Sequence, residues 1–138
     1  MTLEPRTAPL VPVSWGELLD KITILEIKQA EIADPVKLAN VVLELTALSE
    51  ALHNHLGQAV DLIGHLMDDL RAINRRLWDI EDDIRDCERA RDFGSRFIEL
   101  ARSVYLTNDE RARIKREINL AVGSTLIEEK SYATYTAA

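Results

Sequence analysis

The chain has 138 residues, enough for one domain with its own hydrophobic core. Apolar residues make up 46% and charged residues 30%, with only 5 Gly and 4 Pro, a composition that favours a soluble, all-helical protein. The net charge of −7 disfavours a nucleic-acid-binding protein, and no apolar stretch approaches the roughly 18 residues of a membrane span. The single cysteine, Cys87, excludes an internal disulfide. Together with the absence of a signal-peptide pattern, it indicates a cytoplasmic protein.

Three prolines among residues 1–13 predict an extended N-terminal arm, because proline disfavours the helix. Ser14 and Glu17 then have the S-x-x-E spacing of a capping box, which predicts the start of a first helix. The apolar stripe of this helix consists of Trp15, Leu18, Ile22, Leu25 and Ile32. Such a stripe predicts packing against other helices.

Asp34 and Pro35 predict the end of the first helix and the start of a second, with Asp34 as its N-cap and Pro35 at its first position. The second helix is expected to end near Gly57. The residues that it is expected to bury are Leu38, Val41, Leu45, Leu48 and Leu52.

A third helix is expected from about Ala59 to Arg91. One side carries an apolar seam with alternating steps of three and four residues: Ile63, Leu66, Leu70, Ile73, Leu77, Ile80, Ile84 and Cys87. The opposite side carries a tryptophan among charged residues: Arg71, Arg75, Trp78, Asp82, Arg85 and Arg89. A large aromatic residue in that setting predicts a partner, either another part of the chain or a ligand.

The C-terminal region is expected to contain two shorter helices. The first follows a break at Gly94 and carries Phe97, Leu100, Ala101 and Val104 on one face. The second is expected to begin at a cap formed by Thr107 or Asn108 and to end at Gly123.

These elements predict an all-α fold. The expected architecture is an antiparallel helical bundle over residues 14–123, built on a long hairpin of the second and third helices, with the two shorter helices beside it. Residues 124–138 are expected to form an extended C-terminal tail that packs on the bundle.

A candidate polar pocket for a small anionic ligand combines the back of the third helix with residues near the C-terminus. Its members are Trp78, Asp82, Arg85, Arg111, Lys115, Glu128, Glu129 and Lys130. Arginine and lysine side chains that converge from several helices bind phosphate or carboxylate groups. The residues expected to cover the Trp78 ring are Phe97, Leu100, Val104 and Ile114. In this arrangement Arg85 or Arg71 is expected to pair with Glu128 or Glu129.

Five carboxylates offer an alternative, a magnesium site: Glu17, Asp20, Glu44, Asp79 and Asp82. Their E-x-x-D and D-x-x-D spacings partly match the magnesium motifs of all-α nucleoside triphosphate pyrophosphohydrolases, which read E-x-x-E and E-x-x-D. The acidic run around residue 81 also has arginines at helical spacing, as in Glu81 and Arg85. A salt-bridged surface is therefore the favoured interpretation of that run, and no cofactor is expected apart from this magnesium alternative.

Five segments resemble a bacterial, all-helical domain family of unknown function. They are PVSWGELLDKITILEIK at 12–28, LWDIEDDIR at 77–85, FIELARSVY at 97–105, NDERARIKREIN at 108–119 and GSTLIEEKSY at 123–132. The resemblance spans nearly the whole chain, and it implies that the tail belongs to the domain. Because the family has no established activity, the resemblance implies no catalytic residue.

The sequence favours an interaction or scaffold module in the cytoplasm over an enzyme. It contains no nucleophile–base pair and no complete ligand set, but it has much amphipathic helix surface. The expected partner is another protein or a second copy of the chain, with a homodimer as the self-associated form, because a long, thin hairpin is poorly covered by 138 residues. The alternative is a small all-α enzyme or binder that acts on an anionic metabolite.

Overall fold

The computed structural model describes residues 5–57 and 60–135. Its four helices are α1 (Trp15–Glu31), α2 (Pro35–Leu56), α3 (Val60–Arg89) and α4 (Ser95–Val122). Over this described part the chain contains no strand, so the all-α prediction is confirmed. The expected helix start at Ala59 and the outer ends of both terminal arms lie outside the described residues. No described helix has the length and apolarity to cross a membrane.

The first two helices begin as predicted, because polar side chains satisfy their free backbone donors. The Ser14 hydroxyl accepts a hydrogen bond from the backbone N–H of Glu17 at 3.1 Å. A carboxylate oxygen of Asp34 accepts from the two backbone N–H groups that follow Pro35, at 2.9 and 3.1 Å. Gly57 ends α2 with a φ of 52°, a conformation that favours glycine.

The C-terminal helices are one element, and the prediction of two shorter helices is wrong. α4 runs unbroken for 28 residues, about 42 Å, and contains no Gly or Pro. Thr107, an expected cap, is buried in the middle of the helix, where Asn108 instead accepts a hydrogen bond from Arg111 at 3.3 Å. Both side chains have a role inside the helix, so their preference for caps does not interrupt it.

The long antiparallel hairpin is formed by α3 and α4 and not, as expected, by α2 and α3. These two helices share the most extensive packing in the bundle, and near the connecting loop Arg96 donates a hydrogen bond to the Cys87 thiol at 3.3 Å. The reason is that the two helices have similar lengths, 30 residues in α3 and 28 in α4, so α4 can pack along most of the apolar seam of α3. α1 packs against all three other helices.

The hydrophobic core lies where α1 crosses the hairpin. Its most deeply buried side chains are Leu19, Ile63, Leu70 and Ile118. α2 closes one side of this core with the buried Leu52 and Leu56 of its last turns and with the half-buried Leu45 and Leu48, and Trp15 of α1 makes an edge contact with His55.

α2 is less buried than its sequence predicts. Val41 and Leu52 are buried as expected, but the other three residues of the expected stripe, Leu38, Leu45 and Leu48, are half-buried. The reason is that α2 packs extensively on α1 alone, so its opposite side is not covered by the described chain.

Candidate functional site

A buried carboxylate joins three helices at the centre of the bundle. Asp20 of α1 has a side chain only 1% exposed. Its Oδ1 accepts hydrogen bonds from the Asn74 amide of α3 and from Nε of Arg111 of α4, both at 2.9 Å. Nη2 of Arg111 donates to Oδ2, which completes a two-pronged guanidinium–carboxylate pair.

Thr23 completes the hydrogen bonding around this carboxylate. Its hydroxyl accepts from the Asn74 amide at 2.9 Å and donates to the backbone carbonyl of Asp20, also at 2.9 Å. Every fully buried side-chain polar atom of the described residues has a hydrogen-bond partner. Burial of these polar groups is therefore compensated, which is the condition for a stable polar core.

Lys115 extends the group to the start of α1 and to the tail. Its ammonium lies 2.7 Å from a carboxylate oxygen of Glu17, 3.4 Å from Glu128 and 3.7 Å from Asp20. The Ser14 hydroxyl donates to the same Glu128 oxygen at 2.9 Å. We call the seven residues the Asp20 cluster: Ser14, Glu17, Asp20, Asn74, Arg111, Lys115 and Glu128. It holds three carboxylates and two cations.

The charged state of the Asp20 cluster follows from its contacts. Burial by itself would raise the pKa of Asp20, but the hydrogen bonds from Arg111 and Asn74 outweigh it and hold the pKa below its ordinary value. The hydrogen bond to Asp20 raises the pKa of Arg111. Burial would lower the pKa of Lys115, yet the surrounding carboxylates outweigh that effect and raise it. All three groups are therefore charged at neutral pH.

The first turn of α1 packs directly on the backbone of α4. The Gly16 N–H donates to the side-chain oxygen of Asn119 at 2.6 Å. A Cβ atom at Gly16 would lie 2.5 Å from the backbone oxygen of Lys115, so only glycine allows this approach. The Trp15 N–H lies 3.4 Å from the Ser124 hydroxyl, which ties the start of the tail to the same turn.

Part of the predicted pocket forms a cavity beside Trp78, which we call the Trp78 cavity. It has a volume of about 480 Å³ and is lined by Ile24, Asn74, Leu77, Trp78, Glu81, Asp82, Arg85, Asn108 and Arg111. The Trp78 side chain is half-buried. The α4 residues that line the cavity are thus Asn108 and Arg111, and not the apolar residues expected to cover the ring.

The arginine pairs expected beside Trp78 are wrong. Arg85 donates to the Glu81 carboxylate at 3.0 Å, one turn back on its own helix. Arg71 donates to Glu26 of α1 at 2.8 Å. Both arginines therefore pair with acids of the helices, and the acids of the tail are held by α4 and by the start of α1.

The other predicted pocket residues line a smaller cavity between α4 and the tail. Its volume is about 220 Å³, and its lining includes Arg111, Lys115, Glu128, Glu129 and Lys130. Arg111 and Asn108 line both cavities, so the predicted set is divided between two adjoining spaces. Most cations of the smaller cavity already have an acidic partner; Arg116, for example, is 3.0 Å from Glu129.

The five carboxylates of the magnesium alternative are not brought together. Glu17 and Asp20 face Lys115 and Arg111 in the Asp20 cluster. Asp79 lies 3.5 Å from Arg75, while Glu44 and Asp82 are exposed on α2 and α3. Across residues 5–57 and 60–135, no three histidine, cysteine or acidic side chains are grouped so as to hold a metal ion. Magnesium binding stays a prediction.

Three of the buried polar groups were not singled out in the sequence: Thr23, Asn74 and Asn119. The sequence feature that could have indicated their burial is their position beside residues of the core. Asn74 follows Ile73, and Asn119 follows Ile118. A polar residue at a core position needs a partner, and that partner is not readable from one helix alone.

Comparison with known proteins agrees with the resemblance in the sequence. Residues 10–138 match the model of a family of unknown function, DUF6165, and this match includes the tail. No curated protein and no solved structure matches the chain. The chain therefore belongs to the DUF6165 family.

Proposed function

We propose that this protein is an interaction module that associates with a second copy of itself through the outer face of α2. We define this face by four exposed residues, Val36, Ala39, Leu43 and Ala47. Their spacing of three and four residues places them along one side of the helix. Val36 and Leu43 are both 73% exposed, and this uncovered apolar stripe is the observation that carries the proposal.

The composition of α2 favours a second copy as the occupant. Among its 22 residues only Lys37, Glu44 and Glu50 carry full charges, so the helix requires little complementary charge from its partner. A stripe of aliphatic and small residues is complementary to itself when two helices pair about a two-fold axis. The two alanines of this face, Ala39 and Ala47, allow close approach of the two helices.

The exposed area is sufficient for such an interface. The chain exposes 10070 Å², whereas a folded monomer of 15.6 kDa exposes about 7200 Å². A standard interface covers about 800 Å² on each partner, less than this excess. The uncovered side of α2 contributes to this excess, and so do the described residues of the two terminal arms, which are almost all exposed.

The proposal is tested by sedimentation equilibrium over a series of protein concentrations. We expect the unsubstituted chain to form a dimer and Leu43→Glu to weaken association about 100-fold or more, because the substitution places two carboxylates in an apolar interface. Leu120→Glu is the matched control, since Leu120 is 61% exposed on α4, outside the proposed interface. This control is expected to dimerise like the unsubstituted chain.

Two results would contradict self-association through α2. One is a strictly monomeric chain at the highest concentration tested. The other is a dimer that Leu120→Glu disrupts and Leu43→Glu leaves intact, which would place the interface on α4. We further propose that the protein acts in the cytoplasm, which the buried, unpaired Cys87 supports.

A further inference from the structure

The Trp78 cavity is lined by both apolar and polar side chains. Ile24 of α1 and Leu77 and Trp78 of α3 supply its apolar part, beside the buried amide of Asn74. Its charged lining residues, which we call the rim, are Glu81, Asp82, Arg85 and Arg111. Its volume of about 480 Å³ is within the range of small-ligand sites. The indole N–H of Trp78 makes no hydrogen bond to any described residue.

The cations on the rim are already engaged. Arg85 donates to the carboxylate of Glu81 at 3.0 Å and to its backbone carbonyl at 3.2 Å. Arg111 donates to both carboxylate oxygens of Asp20 and, at 3.3 Å, to Asn108. An anion in the cavity would have to compete with the carboxylates of Glu81 and Asp20, which already accept hydrogen bonds from these arginines.

Asp82 is the charged group of the rim whose charge is least compensated. Within residues 5–57 and 60–135 its carboxylate has no hydrogen bond and no ion pair. The charge of Asp82 is one of those that raise the pKa of Arg75, but the guanidinium of Arg75 is paired with other carboxylates, with Glu31 at 2.6 Å and with Asp79 at 3.5 Å. Asp82 follows Trp78 by four residues, so its carboxylate projects from the same side of α3 as the indole ring.

We propose that the Trp78 cavity binds an organic cation, a guanidinium or ammonium group on a short apolar stem. The stem packs on Ile24 and Leu77, the cation lies against the indole of Trp78, and its N–H groups donate to Asp82. This ligand is opposite in charge to the anion predicted from the sequence. The reason is that the arginines which suggested an anion are neutralised by Glu81 and Asp20.

The same cation chemistry has two sources, an arginine or lysine side chain of a polypeptide and a free small amine. Two probes distinguish them: ethylguanidinium chloride and the capped peptide acetyl-Ala-Arg-Ala-amide. A peptide that binds at least about tenfold more tightly than ethylguanidinium indicates a polypeptide source. Equal affinities indicate a free amine.

Binding is measured by the fluorescence of Trp78 in a Trp15→Phe background, with sodium chloride added to equal ionic strength. Calorimetric titration of the unsubstituted chain provides a second measurement that does not depend on Trp15→Phe. We expect a saturable signal with ethylguanidinium and none with sodium phosphate. Saturable binding of phosphate with no binding of ethylguanidinium would overturn the proposal.

Asp82→Asn tests the site itself. Because Asp82 is exposed and has no internal partner among the described residues, the variant is expected to fold normally and to bind ethylguanidinium about five- to tenfold more weakly. Asp86→Asn is the matched control, since Asp86 pairs with Arg89 one turn further along α3 and does not line the cavity. Equal affinities of the two variants would refute the assignment.

Discussion

The Asp20 cluster holds charged side chains inside the protein, whereas the outer face of α2 exposes aliphatic side chains to solvent. In the first region Asp20 has hydrogen-bond donors from two other helices, and Lys115 faces three carboxylates. In the second region Val36 and Leu43 have no covering helix within the described chain. The charged residues of the Asp20 cluster, which resemble a catalytic or ligand-binding set, therefore hold helices together. The uncovered apolar surface lies instead on α2, a helix of ordinary composition.

This difference follows from what each helix contacts. α1 lies among three helices, so the Asp20 carboxylate on its inner side is desolvated and must be paired. α2 packs extensively on one helix only, so the side of α2 opposite α1 has no neighbour in the described chain. The expected consequence is that substitutions in the Asp20 cluster change the stability of the fold. Substitutions on the outer face of α2 are expected to change association.

The largest effect is expected from Asp20→Ala. The variant leaves the half-buried Arg111 and the buried Asn74 without their common acceptor, and removal of one partner from a buried ion pair costs about 3–5 kcal/mol of unfolding free energy. Leu43→Ala, on the outer face of α2, is expected to change the unfolding free energy of the monomer by less than about 0.5 kcal/mol.

Urea unfolding at low protein concentration, where the chain is expected to be monomeric, measures both values. Comparable losses of stability in Asp20→Ala and Leu43→Ala would contradict the distinction between the two regions. It would then follow that the outer face of α2 supports the monomer fold.

The second effect concerns the close approach of α1 to α4. In Gly16→Ala the new methyl group meets the Lys115 carbonyl oxygen at 2.5 Å, and relief of that overlap costs about 1–3 kcal/mol. Gly64→Ala is the matched control in α3, where no atom lies within 4 Å of the added methyl group. It is expected to gain about 0.8–1.0 kcal/mol from helix propensity. Stabilisation by both substitutions would show that α1 does not touch the α4 backbone.

A third prediction uses pH. The folded-state pKa of Asp20 is lowered, so its contribution to stability is complete above the unfolded value of about 3.9 and is lost as the pH falls through the folded value. The unfolding free energy of the unsubstituted chain is therefore expected to fall from about pH 5 downward. Asp20→Asn, which cannot titrate, is expected to be less stable at neutral pH and to show a shallower slope below pH 5. Equal slopes in urea titrations from pH 3 to 7 would contradict this assignment.

Much of the fold is predictable from the sequence because its signals are local. The side chains of Ser14 and Asp34 accept hydrogen bonds from free backbone N–H groups two or three residues further on. The backbone conformation of Gly57 ends α2. The seam of α3 is confirmed at most positions for the same reason. The continuity of α4 was missed because Asn108 and Thr107 have strong capping preferences, which tertiary contacts override.

The Asp20 cluster could not be predicted because its pairs join residues far apart in the chain. Asp20 and Arg111 are 91 positions apart, and Ser14 and Glu128 are 114 apart. Spacing along one helix indicates which residues share a face, but it does not indicate which helix faces them. Arg85 and Glu81, four positions apart, are the kind of pair that the sequence does reveal, and the structure has it at 3.0 Å.

The smallest effect is expected at the end of the tail, where the substitution removes one exposed hydrogen bond. The Tyr135 hydroxyl donates to Asp109 at 2.8 Å, and this hydrogen bond raises the pKa of the phenol. The contact should be lost as the pH rises through that raised value. In a titration of tyrosine absorbance, Asp109→Asn is expected to move one ionisation to lower pH without changing the urea midpoint at pH 7. Tyr135→Phe removes the same ionisation and identifies it. An unchanged titration curve in Asp109→Asn would show that Tyr135 does not contact Asp109 of α4 in solution.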